Sequence, residues 1–310
     1  MSDQRTLKRN PEPCPLCGSM NSSLFLSLKD YSISGEDFSI YSCSACSFKF
    51  TGDAPSEDSI APYYRAEQYI SHTETQKGFI SNLYHKIRKI TLRQKVRMVI
   101  KSTGKIVGHH LDIGAGTGAF VHTMEKSGWN SIGVEPDAAA RKRANELYLA
   151  SVYPMSELDN FSEKSYTAIT MWHVLEHVHQ LHETILKLKK TIDTDGKIFI
   201  AVPNHNSFDA RFYGKYWAAY DVPRHLYHFT PDTMKKLLEQ HGLAIIQIKP
   251  MWFDSYYVSM LSEKYKGGNI IRAIIVATIS NILAVFNKKK CSSLIYITER
   301  KSSAVTKLSG

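Results

Sequence analysis

Apolar and polar positions change rhythm twice along the chain. Between residues 11 and 60 the apolar runs are short, at 23–28 and 38–43, with the turn residues Ser34, Gly35, Glu36 and Asp37 between them. Residues 1–60 therefore predict a small β module. In residues 61–105 the rhythm becomes helical, with Ile80, Leu83, Tyr84 and Ile87 on one face. From 106 to 302 strand and helix patterns alternate. Strands are expected at 110–113, 131–135, near Ser151, and at 166–172, 197–202, 243–249 and 293–299. Helices are expected at 117–126, 137–147, 180–192 and 231–241, the last started by Thr230 and Pro231. Strands separated by helices give a parallel sheet covered on both faces, so the predicted class is doubly wound α/β. A hydrophobic helical insertion is expected at 251–291, and 303–310 is left as a tail.

Residues 273–287 carry no charge and are flanked by Arg272 and by Lys288, Lys289 and Lys290. As a helix they reach about 22 Å, short of a roughly 30 Å hydrocarbon core. The segment reads as a core or lid helix, or as an interfacial helix making peripheral membrane contact through 269–290.

Hydrophobic residues at 43% and charged residues at 22% fit a globular chain and exclude disorder throughout. No repeat of 20–50 residues is present, which excludes solenoids and propellers. The formal charge of +10 draws the chain toward polyanions or an anionic membrane without choosing between them. The basic residues concentrate between Lys77 and Lys105, and no acid occurs between Glu74 and Asp112. The first ten residues are polar and basic, unlike a secretory signal. Cytoplasmic localisation follows as an expectation, with membrane association as its variant.

Cys14 and Cys17 form one Cys-x-x-Cys pair, and Cys43 and Cys46 form another. Two such turns supply four thiolates to one tetrahedral ion, the pattern of a closed structural zinc site. Cys291 is left over.

Asp112-Ile113-Gly114-Ala115-Gly116-Thr117-Gly118 follows a predicted strand and opens a helix. Glycines there let a ligand reach the backbone at a helix N-terminus. Glu135, 21 residues beyond Gly114, stands where a carboxylate accepts from ribose hydroxyls. The loop also satisfies a dinucleotide fingerprint, so it does not decide the cofactor alone. Asp112 discriminates, since an acid there suits a cationic sulfonium and amino group better than a pyrophosphate.

The loop, Val134-Glu135-Pro136, and Trp172-His173-Val174-Leu175-Glu176-His177 occur in that order on the expected elements. Together they resemble the class I S-adenosylmethionine-dependent methyltransferases over about residues 105–250. The resemblance implies that Asp112, Gly114, Gly116, Gly118, Glu135, Met155, Trp172 and His173 line an S-adenosylmethionine site. The cysteine pairs, the run Tyr64-x-x-Glu67-x-Tyr69-x-Ser71-His72 and the segment 220–229 are similar to a subgroup with an N-terminal zinc module that includes sugar C-methyltransferases. Where those enzymes carry Glu-His, this chain has Arg224-His225, which departs from a sugar-nucleotide acceptor. His225 is the residue the resemblance implies acts on the acceptor, as a base held neutral by Arg224, and His228 competes for the role. Arg211, Tyr213 and Arg224 are candidates for holding an anionic acceptor, and Trp217 for a pocket wall.

The implied reaction is O- or C-methylation of a small-molecule, glycan-precursor or lipid-linked acceptor. Two other readings stay open: a zinc-ribbon methyltransferase acting on RNA, nucleic acid being the less favoured partner, and a nicotinamide-dependent oxidoreductase, which Asp112 and Gly118 disfavour. The His-x-x-Glu-His run from His173 to His177 also matches inverted zinc peptidases, but that chemistry needs it inside a helix.

Overall fold

The computed structural model of the chain describes residues 12–64 and 79–301. Residues 1–11, the Glu67, Tyr69, Ser71 and His72 part of the tyrosine motif, and the 303–310 tail lie outside the described residues. So do the side chains of Ile80, Leu83 and Tyr84.

The chain opens with β1 (Ser22–Lys29), β2 (Asp37–Cys43) and β3 (Lys49–Gly52), paired antiparallel. The long α1 (Phe79–Thr103) leads to β4 (His109–Ile113), α2 (Ala119–Glu125), β5 (Asn130–Val134), α3 (Ala138–Tyr148) and β6 (Val152–Tyr153). Then come β7 (Tyr166–Trp172), α4 (Leu181–Thr191), β8 (Ile192–Pro203), α5 (Phe208–Tyr213) and β9 (Tyr227–His228). The chain continues with α6 (Pro231–Gln240), β10 (Leu243–Pro250), α7 (Asp254–Lys266), α8 (Ile270–Phe286) and β11 (Ser293–Arg300).

Seven strands form the main sheet in the order β10-β11-β8-β7-β4-β5-β6. Its pairs from β8 to β6 are parallel, and β11 runs antiparallel to both neighbours. Ile198 to Val202 are all fully buried, as a strand covered on both faces requires. Val96 and Val99 of α1 with Phe120 and Met124 of α2 cover one face. Ile185 and Leu188 of α4, Leu237 and Leu238 of α6, and Phe48 and Phe50 of the N-terminal sheet cover the other. The doubly wound α/β class holds. The strand order reverses between β4 and β7, so their carboxyl ends open the crevice where such sheets bind ligands.

Two features depart from the sequence pattern. β8 begins at Ile192 rather than Lys197. Tyr166 pairs with Ile192 and Ala168 with Lys197, so residues between them form an irregular entry to the strand instead of a helix-ending turn. The second departure is β9, which adds to β3 through the pairs Lys49–His228 and Phe50–Tyr227. A two-residue strand leaves no alternation to read. It extends the N-terminal sheet to β1-β2-β3-β9 and joins it to the segment expected to face the acceptor.

No helix among the described residues is long and apolar enough to cross a membrane. Helix α8 is amphipathic in place: Ala273, Ala277 and Ala284 are buried, while Ile271, Ile275 and Phe286 are exposed.

Candidate functional site

The glycine loop leaves β4 at the reversal point. Gly114 and Ala115 donate backbone N–H bonds to the Val134 carbonyl, at 2.8 and 3.0 Å, tying the loop to β5. Gly116 has φ +53°, and a Cβ there would point into open space. Its N–H donates to Glu135 Oε2 at 2.9 Å, and the Asp137 N–H donates to Oε1 at 3.0 Å. The carboxylate is thereby fixed, with lone pairs left for further donors. Gly118 also answers to packing: a Cβ would come within 2.9 Å of Ala144 and Ala150. The space beside Gly118 is thus closed by Ala144 of α3 and by Ala150 beyond its end.

Asp112 is buried and accepts from Thr170 Oγ1 at 2.5 Å; Thr170 also meets the His110 ring, whose other nitrogen meets Ser131. Burial pushes the Asp112 carboxyl up to about 7, against the Thr170 bond and the charge of Lys95. A carboxyl so placed gains from a cationic group brought beside it. Lys95 of α1 sits 4.1 Å from the Trp172 ring centroid, so one member of the basic run is turned into the crevice. Met155 lies in the short turn after β6, half-buried against the core.

His173 departs from its expected cofactor contact. Its Nδ1 is 3.2 Å from Glu176 Oε1 and its Nε2 2.9 Å from Asp254 Oδ2. Burial opposes the charge, but the two carboxylates prevail and raise the imidazole to about 10. Both ring nitrogens are engaged, so His173 is a clamped cation that fixes the 173–176 turn.

The segment 221–228 separates the two candidate histidines. His225 Nδ1 lies 2.9 Å from the Ala219 carbonyl, and its ring meets His177 edge-on with centroids 4.6 Å apart. His228 turns toward the N-terminal sheet, where its Nε2 meets Thr51 Oγ1 at 3.1 Å. Thr51 spends its only proton on the His225 carbonyl, so His228 must donate to it. Burial holds His228 well below the ordinary histidine range. Its catalytic assignment is therefore corrected: it is a stitch between β3 and β9.

Arg224 is also corrected. Its side chain is 1% exposed and bonds Asp30 and Asp221, with N–O distances of 2.8 and 2.7 Å. A guanidinium spent on two carboxylates neither holds an anionic acceptor nor acts on His225 as an isolated cation. Trp217 donates to buried Asp209 and Tyr213 is buried, so both belong to the core; Arg211 bonds Asn206.

Sequence reasoning did not single out Glu176, which the fold brings to His177 and His225. Its carboxyl, the His177 ring and the His225 ring place ligand atoms within 4.8 Å of one another. The Glu-His pair was visible in the sequence, as the end of the third methyltransferase motif and of a protease look-alike, but Glu176 was given no role there.

The four paired cysteines converge as the spacing predicts. Cys14 and Cys46 sulfurs are 3.6 Å apart, as are those of Cys17 and Cys43, and none forms a disulfide. Tetrahedral bonds of about 2.3 Å put sulfurs roughly 3.8 Å apart, so the quartet fits a zinc ion. A separate cleft of about 360 Å³ lies between His109, Asn130, Ile132, Ser165 and Tyr166. It opens at the amino ends of the strands, away from the reversal-point crevice.

Comparison with known proteins agrees with this geometry. Residues 79–248 match the family model described as a methyltransferase domain. The ubiquinone biosynthesis O-methyltransferase of Rickettsia akari is 24% identical over 240 residues, covering 66% of this chain and 92% of the relative. That of Aliivibrio fischeri (strain ATCC 700601 / ES114) is 27% identical, covering 51% and 72%. For that of Rhodopseudomonas palustris, 25% identical, the match covers 46% of this chain and only 61% of the relative. A putative sarcosine dimethylglycine methyltransferase from Galdieria sulphuraria shares the fold, with a TM-score of 0.50, 14% identity, and coverage of 69% and 88%.

Proposed function

Since the chain belongs to the methyltransferase-domain family, as a class I S-adenosylmethionine-dependent methyltransferase, we propose that it methylates a hydroxyl of a small-molecule or lipid-linked acceptor. Carbon methylation is the second form of the same reading. The observation that carries it is the Gly116–Glu135 cradle on the turns after β4 and β5, together with the Glu176–His177–His225 cluster, formed by the turn after β7 and the loop that leads into β9. Relatives named for ubiquinone biosynthesis O-methylation support an oxygen acceptor. Bound S-adenosylmethionine supplies a methyl group on a sulfonium, with a neutral thioether as the leaving group. The chain's task is then to orient the acceptor and ease loss of its proton. Glu135 holds the ribose, the open face of Gly116 admits the ligand against the backbone, and His225 activates the acceptor through Nε2.

Calorimetry with S-adenosylhomocysteine tests the reading. Glu135→Ala should weaken binding by about 1–3 kcal/mol through lost charge-assisted bonds. Tight NADH binding with none of the adenosyl ligand would refute it.

The cysteine quartet is proposed to hold one structural zinc, since four protein ligands leave no open position. Metal analysis should find about one zinc per chain beyond any other metal. Cys14→Ser or Cys46→Ser should lose it and loosen β1–β3, because metal binding is folding energy in so small a module. A stoichiometric Cys14–Cys17 disulfide without zinc would end this assignment.

Membrane contact through 269–290 is the proposed setting for a lipid-linked acceptor. Its support is the exposed row Ile271, Ile275 and Phe286 on α8, with Lys288, Lys289 and Lys290 at the end of the helix. Deleting the helix would uncover the core, since Ser280 bonds buried Asp209. Ile275→Glu with Phe286→Glu is the cleaner test. The pair should move the protein out of the pellet of sedimented anionic vesicles and leave adenosyl-ligand affinity unchanged. A wild-type chain that never sediments with such vesicles at low salt would make α8 a lid.

A further inference from the structure

We propose that Glu176, His177 and His225 bind a divalent first-row transition ion, separate from the cysteine site, and that this ion receives the acceptor's oxygen. The binding claim stands on geometry alone; the ion's role rests on the methyl-transfer reading.

Three independent features converge. His177 Nδ1 lies 3.0 Å from the Arg224 carbonyl and 3.1 Å from the Tyr64 hydroxyl. His225 Nδ1 lies 2.9 Å from the Ala219 carbonyl, and the Nε2 of that ring is 3.9 Å from Asp221 Oδ2, beyond hydrogen-bond reach. A carbonyl oxygen only accepts, so each Nδ1 carries the proton and each Nε2 keeps its lone pair. That tautomer, with the far nitrogen tied to a carbonyl, is how ligand imidazoles are oriented. Second, Glu176 is 0% exposed, and its Oε2 has no hydrogen-bond partner among the described residues. A buried carboxylate oxygen without a donor is costly unless something cationic meets it. Its other oxygen is held by His173, as a ligand carboxylate's second oxygen should be.

Third, the frame is pinned. The Leu226 N–H donates to the Glu176 carbonyl at 2.8 Å, which ties the 225 loop to the 176 turn. The surroundings are rich in carboxylates. Four carboxylates, those of Asp30, Glu176, Asp221 and Asp254, stand around the His173 and Arg224 side chains, with Lys95 acting on Asp254.

One ligand-capable atom from each of the three side chains lies within 4.8 Å of the other two. Around a tetrahedral ion with bonds of about 2.1 Å they come to roughly 3.4 Å, a closure that side-chain rotation supplies. Two imidazoles and one carboxylate favour zinc, iron, cobalt or manganese over magnesium or calcium, and three protein ligands leave positions open. An acceptor hydroxyl bound there loses its proton to water more readily. Its oxygen then forms the new bond to the methyl carbon as the carbon–sulfur bond breaks, and the thioether leaves neutral. In this arrangement Nε2 of His225 activates the acceptor as a ligand of the ion.

The test uses full-length protein already carrying one zinc per chain, titrated with Co²⁺. One further equivalent should bind and give weak visible d–d bands without thiolate charge transfer. Glu176→Gln and His177→Gln should each weaken that uptake at least about tenfold, the effect of losing one of three ligands. Retained zinc and unchanged S-adenosylhomocysteine affinity would show that these variants are folded. Failure to take up the second equivalent, or uptake unchanged in both folded variants, overturns the site. Failure of the wild type to bind S-adenosylhomocysteine overturns the methyl-transfer reading instead, and the Co²⁺ result still decides the site.

Discussion

His225→Ala is expected to lower turnover by about 10²–10⁴-fold on any acceptor the wild type methylates, while S-adenosylhomocysteine affinity stays close to wild type. The asymmetry follows from position. His225 meets His177 and Glu176 on the acceptor side. The bonds that fix Glu135 come from Gly116 and Asp137 on other turns. Truncating the ring leaves those bonds in place. His228→Ala gives the control, because its imidazole donates to Thr51 between β3 and β9. That variant should loosen the N-terminal sheet and leave turnover per folded molecule largely intact. If His228→Ala matched the turnover loss while retaining zinc and adenosyl-ligand binding, the two assignments would have to be exchanged.

Arg224→Met is expected to destabilise the chain by about 3–5 kcal/mol in denaturant unfolding. The guanidinium is the shared partner of two carboxylates in a site closed to water, and it also donates to the Tyr63 carbonyl. Removing it strands Asp30 and Asp221 as unpaired charges. Asp30→Asn should cost less, since Asp221 still faces the cation.

The same group of charges gives an acid limb. Burial pushes the Asp30 carboxyl up, but Arg224 and the Ser34 amide outweigh it and hold it below the usual range. A carboxyl depressed in the folded state adds stability that is present above its unfolded value, near pH 3.9, and lost as pH falls through the folded value. The difference between wild type and Asp30→Asn should therefore shrink below about pH 4. A gap that persisted unchanged into strong acid would remove the ion pair as its cause.

What the sequence made legible follows from the range of the interactions involved. Thr230 and Pro231 announce α6 because a cap is local: Thr230 and Thr233 exchange side-chain bonds to each other's backbone. Asp137 likewise starts α3 by accepting from Ala139. The glycine loop and the cysteine pairs are short-range devices, and their spacing carried through to geometry. The roles of Arg224 and His173 were not legible, because each depends on partners far away in sequence, Asp30 in one case and Asp254 in the other. A charged residue beside a candidate base looks like a tuning element until its counterions are known. The same distance hid Glu176, whose missing donor becomes visible only when the turn after β7 meets the 225 loop. Gly118 shows the reverse case. Its place in a ligand motif was plain, yet the side chains that exclude a Cβ belong to Ala144 and Ala150.

The pairing of β3 with β9 also bears on how the protein is made. As the chain leaves the ribosome, β1, β2 and β3 emerge early, and their edge waits for a partner until residues 227–228 have been synthesised. Phe48 and Phe50, both buried in the finished protein, stay uncovered over that interval. Early capture of the proposed zinc by the four cysteines would hold the nascent module in shape while its sheet edge remains open to stray pairing. A cell short of zinc would then lose this protein first as aggregated newborn chains, before any effect on molecules already folded.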